Sequence, residues 1–245
     1  MRQTTAVSAP TTRPLWRALL LLSRVSNLPT VWSNVLAGSA AATAGLTSNR
    51  WAALAAVMLS ASLFYTGGMF LNDAFDAQFD RRVRPERPIP RGEVSETTAF
   101  TIGYVLLALG LVSLAFAPLA MALGVVLGAA IVLYDARHKG FTLAPALMGA
   151  CRGLVYAIAA SAQTGTVPVI VIAGGLIMTA YVAGLTVVAK SAGARAPVVV
   201  PLLIAGISVV DSLFIVFTAH DLTLALVAAV GLPLTLVLQR WIPGD

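Results

Sequence analysis

The chain has 245 residues, 58% of them hydrophobic and 11% charged, with a formal net charge of +6. Soluble domains sit near about 45–50% apolar and about 25% charged, so an ordinary cytosolic domain is excluded, and so is a solvated coil. Apolar residues run on for about 20 positions instead of alternating over about 10, which selects a helical membrane protein over a β-barrel.

Eight spans are expected, at roughly 15–45, 51–80, 97–117, 119–134, 144–162, 167–189, 198–218 and 221–240. The first two exceed the bilayer requirement and the fourth is short. Residues 1–14, rich in Thr, Pro and Ser, are expected to be a flexible tail, with no cleaved signal peptide and with 15–245 as a single transmembrane domain. The predicted fold is an all-α polytopic bundle around a central cavity. Of the 16 Lys and Arg, all but Arg24, Arg50 and Arg152 then fall on the side of the termini. Positive-inside places both termini and the 81–96 loop in the cytoplasm, for a multi-pass protein of the inner or cell membrane. The lone Cys151 excludes an internal disulfide, and basic residues distributed this way do not point to a nucleic-acid partner.

The second span ends in Asn72-Asp73-Ala74-Phe75-Asp76-Ala77-Gln78-Phe79-Asp80. Asn72, Asp76 and Asp80 recur every four residues and so share one helical face. Oxygen donors stacked this way suit Mg²⁺, which takes one or two carboxylates and keeps water and phosphate oxygens. Acids simply paired with Arg81 or Arg84 at a helix end would be the plainer reading. Next comes Asp80-Arg81-Arg82-Val83-Arg84-Pro85-Glu86-Arg87-Pro88-Ile89-Pro90-Arg91-Gly92, where three prolines and a glycine call for a turn. The planar guanidinium forks of Arg81, Arg84 and Arg87 suit phosphate oxygens, while contacts with anionic lipid would account for some of the basic residues. Metal-binding carboxylates beside phosphate-binding arginines make a diphosphate site.

With these residues the chain resembles the UbiA superfamily of intramembrane prenyltransferases. The acidic motif of that family matches Asn72, Asp76 and Asp80, and its basic loop matches Arg87-Pro88-Ile89-Pro90-Arg91-Gly92. The first span is similar too, through Arg24, Asn27, Pro29-Thr30-Val31-Trp32 and Asn34. The resemblance implies that Arg24 faces the pocket of an acceptor, with Asn27 beside it. After the fourth span the family carries Tyr-x-x-x-Lys; here Tyr134-Asp135-Ala136-Arg137-His138-Lys139 sets the lysine one place late. Nine spans are usual in the family, so either a last span is missing or one long segment holds two elements.

The second acidic motif of the family is absent. Leu185 and Ala189 stand where its aspartates would be, and neither ligates a metal. One tightly held Mg²⁺ is therefore expected, with Lys139, Arg137 and Lys190 balancing the remaining diphosphate charge; a second ion would need Asp135 or Asp211. Altered or lost catalysis is the competing account.

Arg152 lies inside the fifth span and must face a cavity or find a partner, with Asp211 of the seventh span as the candidate for an inter-helix clamp. His138, His220 and Cys151 read as solvated or structural, and the small residues Gly67, Gly68, Gly124 and Gly128 as packing positions. The reading implied is prenyl transfer from a prenyl diphosphate to an unidentified small acceptor, with Asp76, Asp80 and Lys139 catalytic. Asn72, Arg81, Arg84, Arg87, Arg24, Asn27, Tyr134, Arg137 and Arg152 would bind the substrates, and membrane lipid would surround them. A terpene cyclase on the same scaffold, a transporter without the usual inverted repeat, or a non-catalytic lipid-binding protein are the alternatives.

Overall fold

The computed structural model describes residues 13–43, 50–137 and 140–244. These residues contain no strand. The helices are α1 (Leu15–Ser23), α2 (Leu28–Thr43), α3 (Trp51–Val83), α4 (Glu96–Val112), α5 (Pro118–Arg137), α6 (Ala144–Thr164), α7 (Val169–Ser191), α8 (Ala196–Ala219), α9 (Leu222–Ala229) and α10 (Gly231–Gln239). Among the described residues, six stretches are long and apolar enough to cross a membrane: α3, α5, α6, α7, α8 with its preceding turn, and α9 continued by α10. At 17 residues, α4 is a shorter apolar helix.

Three expectations about the spans change. The first span is not one helix, because Arg24 adopts left-handed backbone angles (φ 46°, ψ 40°) and a 3₁₀ turn at Val25–Asn27 separates α1 from α2. Pro29, with no backbone N–H to donate, sits in the first turn of α2, where that loss costs nothing. The fourth span is not short, since α5 starts at Pro118 and runs for 20 residues. The last span is interrupted at Val230, between α9 and α10.

Local chemistry explains several ends. Ser95 caps α4 by accepting a hydrogen bond from the Thr98 N–H at 3.0 Å, and Asp221 caps α9 by accepting one from the Leu224 N–H at 2.9 Å. Gly165 closes α6 at φ 75°, a conformation that costs glycine little.

The outside of the bundle is strongly apolar, and polar residues are set within an otherwise apolar core. Leu176 and Phe217 are 65% and 75% exposed, whereas Asn34 and Asp211 are completely buried. Exposed leucines and phenylalanines at that density suit contact with acyl chains, not water. Without a hydrophobic drive between helices, close packing of small residues must hold the interior together. A Cβ on Gly149 would stand 2.3 Å from the Thr179 carbonyl oxygen, and one on Gly38 would stand 2.6 Å from that of Tyr156. Backbone atoms cannot give way as a flexible side chain can. Gly38→Val is therefore expected to destabilise the protein by about 1–3 kcal/mol, visible as a lower melting temperature in detergent.

Candidate active site

A cavity of about 330 Å³ lies between α2, α3, α5, α6, α7 and α8. Phe64, Leu127, Ile131, Val155, Val182 and Leu185 make its walls apolar, and the polar groups Arg24, Tyr65, Tyr134, Asp135 and Arg152 also face it. Helix α3, about 50 Å long at about 1.5 Å per residue, exceeds the roughly 30 Å of hydrocarbon and carries the acidic motif toward one end of the bundle.

Two of the acids at that end, Asp73 and Asp80, are buried and committed to arginines. Arg24 donates to Asp73 at 2.7 Å, and Arg87 bridges Asp73 at 3.0 Å and Asp80 at 2.9 Å. The left-handed break at Arg24 delivers that guanidinium to α3. The Asn72 side-chain amide donates to Asp135 of α5 at 3.2 Å, and Asp76 follows Asn72 one turn along α3. Of the two acids proposed for a second ion, Asp135 lines the cavity. Leu185 and Ala189 also line it, so the positions lacking the second motif do face the chamber and present only carbon.

The basic loop is clasped from a distance. Arg13, assigned by sequence to a flexible tail, donates to Glu93 at 2.9 Å and to the Glu86 carbonyl at 2.6 Å. Partial burial pushes the Glu93 carboxyl up, but the hydrogen bonds and charge of Arg13, with Arg91 beside it, hold it below the usual carboxylate range. The stability that the clasp adds is thus present above the ordinary carboxylate pKa and lost as pH falls through the lowered value.

Deeper in the bundle, Asp211 accepts hydrogen bonds from Ser33 at 2.5 Å, from Asn34 at 2.9 and 2.8 Å, and from the Tyr156 hydroxyl. Arg152 donates to the Asn34 side-chain oxygen at 2.9 Å and to the Thr30 hydroxyl at 3.1 Å, and lies 5.6 Å from the centre of the Tyr65 ring. The expected Arg152–Asp211 clamp is therefore indirect. One side-chain amide, that of Asn34, donates to the acid and accepts from the guanidinium. Asp211 is enclosed by these donors and does not line the cavity, which removes it as a candidate metal ligand.

Other assignments also shift. Arg81 pairs with Glu96 at the exposed surface, and Arg84 and Arg137 are exposed. Tyr134 lines the cavity and contacts the Met148 sulfur. Asn27 is occupied as a joint: Gln239 donates to its oxygen at 2.7 Å, and its amide donates to Tyr65 and to the Gly244 carbonyl, both at 2.9 Å. Lys139 and His138 lie outside the described residues. Sequence reasoning missed Asp73, although an acid in a span needs a cation and Arg24 was the nearest intramembrane candidate.

No cluster of three acidic, histidine or cysteine ligands exists among the described residues. That fits Mg²⁺, which is held by one or two carboxylates and completes its shell with water and substrate oxygens. Asn72, Asp76 and Asp135 offer such an all-oxygen set, with Asp80 one turn beyond Asp76.

The description "UbiA prenyltransferase family" belongs to the family model that matches residues 30–243. Digeranylgeranylglyceryl phosphate synthases are similar over shorter stretches. That of Methanoregula boonei is 39% identical over 44% of this chain and 39% of its own length, and that of Ignicoccus hospitalis is 40% identical over 42% and 33%. The chain thus aligns with well under half of these relatives. Among solved structures, one described as a digeranylgeranylglyceryl phosphate synthase in membranes superimposes with a TM-score of 0.63 at 19% identity, over 94% of this chain and 98% of that one. A UbiA homologue from Archaeoglobus fulgidus bound to GPP and Mg²⁺ gives 0.56 at 18% identity, over 91% and 86%. The fold is shared, and the protein is an integral membrane protein.

Proposed function

As the chain belongs to the UbiA prenyltransferase family, we propose that it transfers an isoprenyl group from a prenyl diphosphate to a small acceptor inside the membrane. The observation that carries this reading is an apolar chamber with carboxylates and arginines gathered at one end of its lining helices. The isoprenoid tail would lie along Phe64, Leu127, Ile131 and Val182. Its diphosphate would meet Asn72, Asp76 and Asp135 on one side and Arg87 on the other. The Nη1 of Arg87 donates to two carboxylates, and diphosphate oxygens offer its guanidinium the same acceptor chemistry. The chemistry a bound Mg²⁺ supplies is neutralisation of charge on the leaving diphosphate. The apolar walls keep water from an allylic cation formed as the C–O bond opens, so that the acceptor captures it instead. The relatives named as digeranylgeranylglyceryl phosphate synthases, and the A. fulgidus homologue with its GPP and Mg²⁺, support the same class of donor. The distribution of arginines supports a cytoplasmic position for the termini and the basic loop.

Purified protein in nanodiscs, given labelled geranyl and geranylgeranyl diphosphate, is expected to release diphosphate with Mg²⁺ present and to stop in excess chelator. Full turnover in chelator would remove the metal from the proposal. Absence of any turnover across donors and acceptors would favour a non-catalytic lipid-binding role.

A further inference from the structure

The walls of the cavity end at a similar depth. On α3 its lining runs from Met69 down to Ala61, on α5 from Asp135 to Leu127, and on α7 from Ala189 to Val182. At about 1.5 Å per residue, Phe64 lies about 12 Å below Asn72, Ala61 about 16 Å below Asn72, and Leu127 about 12 Å below Asp135. One helical turn deeper, Val35 on α2, Val57 on α3, Ala159 on α6, Met178 on α7 and Asp211 on α8 are all 0% exposed, and none lines the cavity. These residues form its floor. On α5 the residue at that level, Leu123, is partly exposed. On this side the Phe64 ring borders both the cavity and an open groove on the outer face of the bundle. Val125 and Leu133, 53% and 45% exposed, mark that groove as lipid-facing.

The ring fits there because its neighbours are glycines. A Cβ on Gly128 of α5 would stand 3.5 Å from its Cε1, one on Gly124 3.6 Å from its Cζ, and one on Gly110 of α4 3.2 Å from its Cδ2. Phe64 fills the space these glycines leave where α3, α4 and α5 meet, and it is 3% exposed. Each isoprene unit adds four carbon–carbon bonds in line, about 5 Å when extended at roughly 1.5 Å per bond. A geranyl tail of two units thus spans about 10 Å and ends near Phe64, a farnesyl tail of about 15 Å reaches the floor, and a geranylgeranyl tail of about 20 Å overruns it. We propose that the chamber takes donors of two or three isoprene units and that Phe64 sets this limit. Its ring closes the wall through which a longer tail would run out into the groove. The proposal rests on the cavity being the prenyl-transfer chamber and adds the length of the donor. That length is shorter than the geranylgeranyl groups carried in the names of the similar synthases.

Binding of geranyl, farnesyl and geranylgeranyl diphosphate with Mg²⁺ to the full-length protein in nanodiscs tests it. Affinities are expressed against the donor concentration in the bilayer, so that membrane partitioning drops out. The wild type is expected to bind geranylgeranyl diphosphate about tenfold or more weakly than geranyl diphosphate. Phe64→Ala should remove most of that difference by strengthening geranylgeranyl binding, because the tail can then pass into the groove. Adding Gly128→Leu to Phe64→Ala should restore the limit, since a side chain grown from the facing helix occupies the space the ring has left. A merely structural role for Phe64 would not give that rescue. Should Phe64→Ala fail to fold, Phe64→Leu should shift the preference the same way by a smaller factor. Equal binding of the three donors by the wild type, an unchanged preference in the Phe64 variants, or a gain that survives Gly128→Leu overturns the proposal. If no donor binds at all, the prenyl-transfer reading falls and the length limit with it; if donors bind without regard to length, the limit falls alone.

Discussion

Asp76→Ala is expected to lower prenyl diphosphate turnover by about 10²–10³-fold while leaving the protein folded, and Asp135→Ala is expected to do the same. Asp135 accepts from Asn72 and Asp76 follows Asn72 by one turn of α3, whereas the ion pairs of Arg24 and Arg87 are with Asp73 and Asp80. Their removal takes away charge stabilisation of the leaving diphosphate, worth about 3–4 kcal/mol at that rate loss. Asp73→Ala should behave differently, because it strips the shared partner from two arginines and should lower the melting temperature as well as the rate. Turnover and thermal unfolding measured side by side separate the two cases. Near-normal turnover in Asp76→Ala and Asp135→Ala would sink the proposed division of labour among the acids.

Asp211→Leu should be the most destabilising single change in the membrane interior, by about 3–5 kcal/mol, because it leaves the Arg152 charge without compensation and three donors without an acceptor. Arg152→Leu should also destabilise, since Asp211 would keep its charge with only neutral donors around it. In the double variant much of that penalty should disappear. Coupling between two residues with no direct contact is the signature of the Asn34 bridge, and a double-mutant cycle on unfolding in detergent would measure it. Strict additivity would mean that the two charges are solvated independently.

The all-helical membrane architecture, the acidic positions along α3 and the apolar residues Leu185 and Ala189 were legible in the sequence, because each depends on composition or on spacing along one helix. What stayed hidden depended on pairing between distant helices. Periodicity sets Asp73 three and seven residues before Asp76 and Asp80, on the same side of α3, yet spacing alone does not reveal that it is the acid that gathers Arg24 and Arg87. Asn34 reads as one small polar residue in an apolar run, and nothing within 100 positions reveals that it joins Arg152 to Asp211. The break at Arg24 was equally invisible, since the apolar run continues through it and left-handed backbone at an arginine is uncommon.

The Asn34 bridge also sets an order of events during synthesis. Thr30 and Asn34 enter the bilayer in α2, Arg152 follows with α6, and Asp211 arrives only with α8. At about 5–20 residues per second, the arginine waits about 3–12 s in the membrane before its countercharge is made. During that interval its partners from α2 are neutral oxygens already in place, so a half-made chain can shelter the charge on Asn34 and Thr30 before Asp211 completes the network.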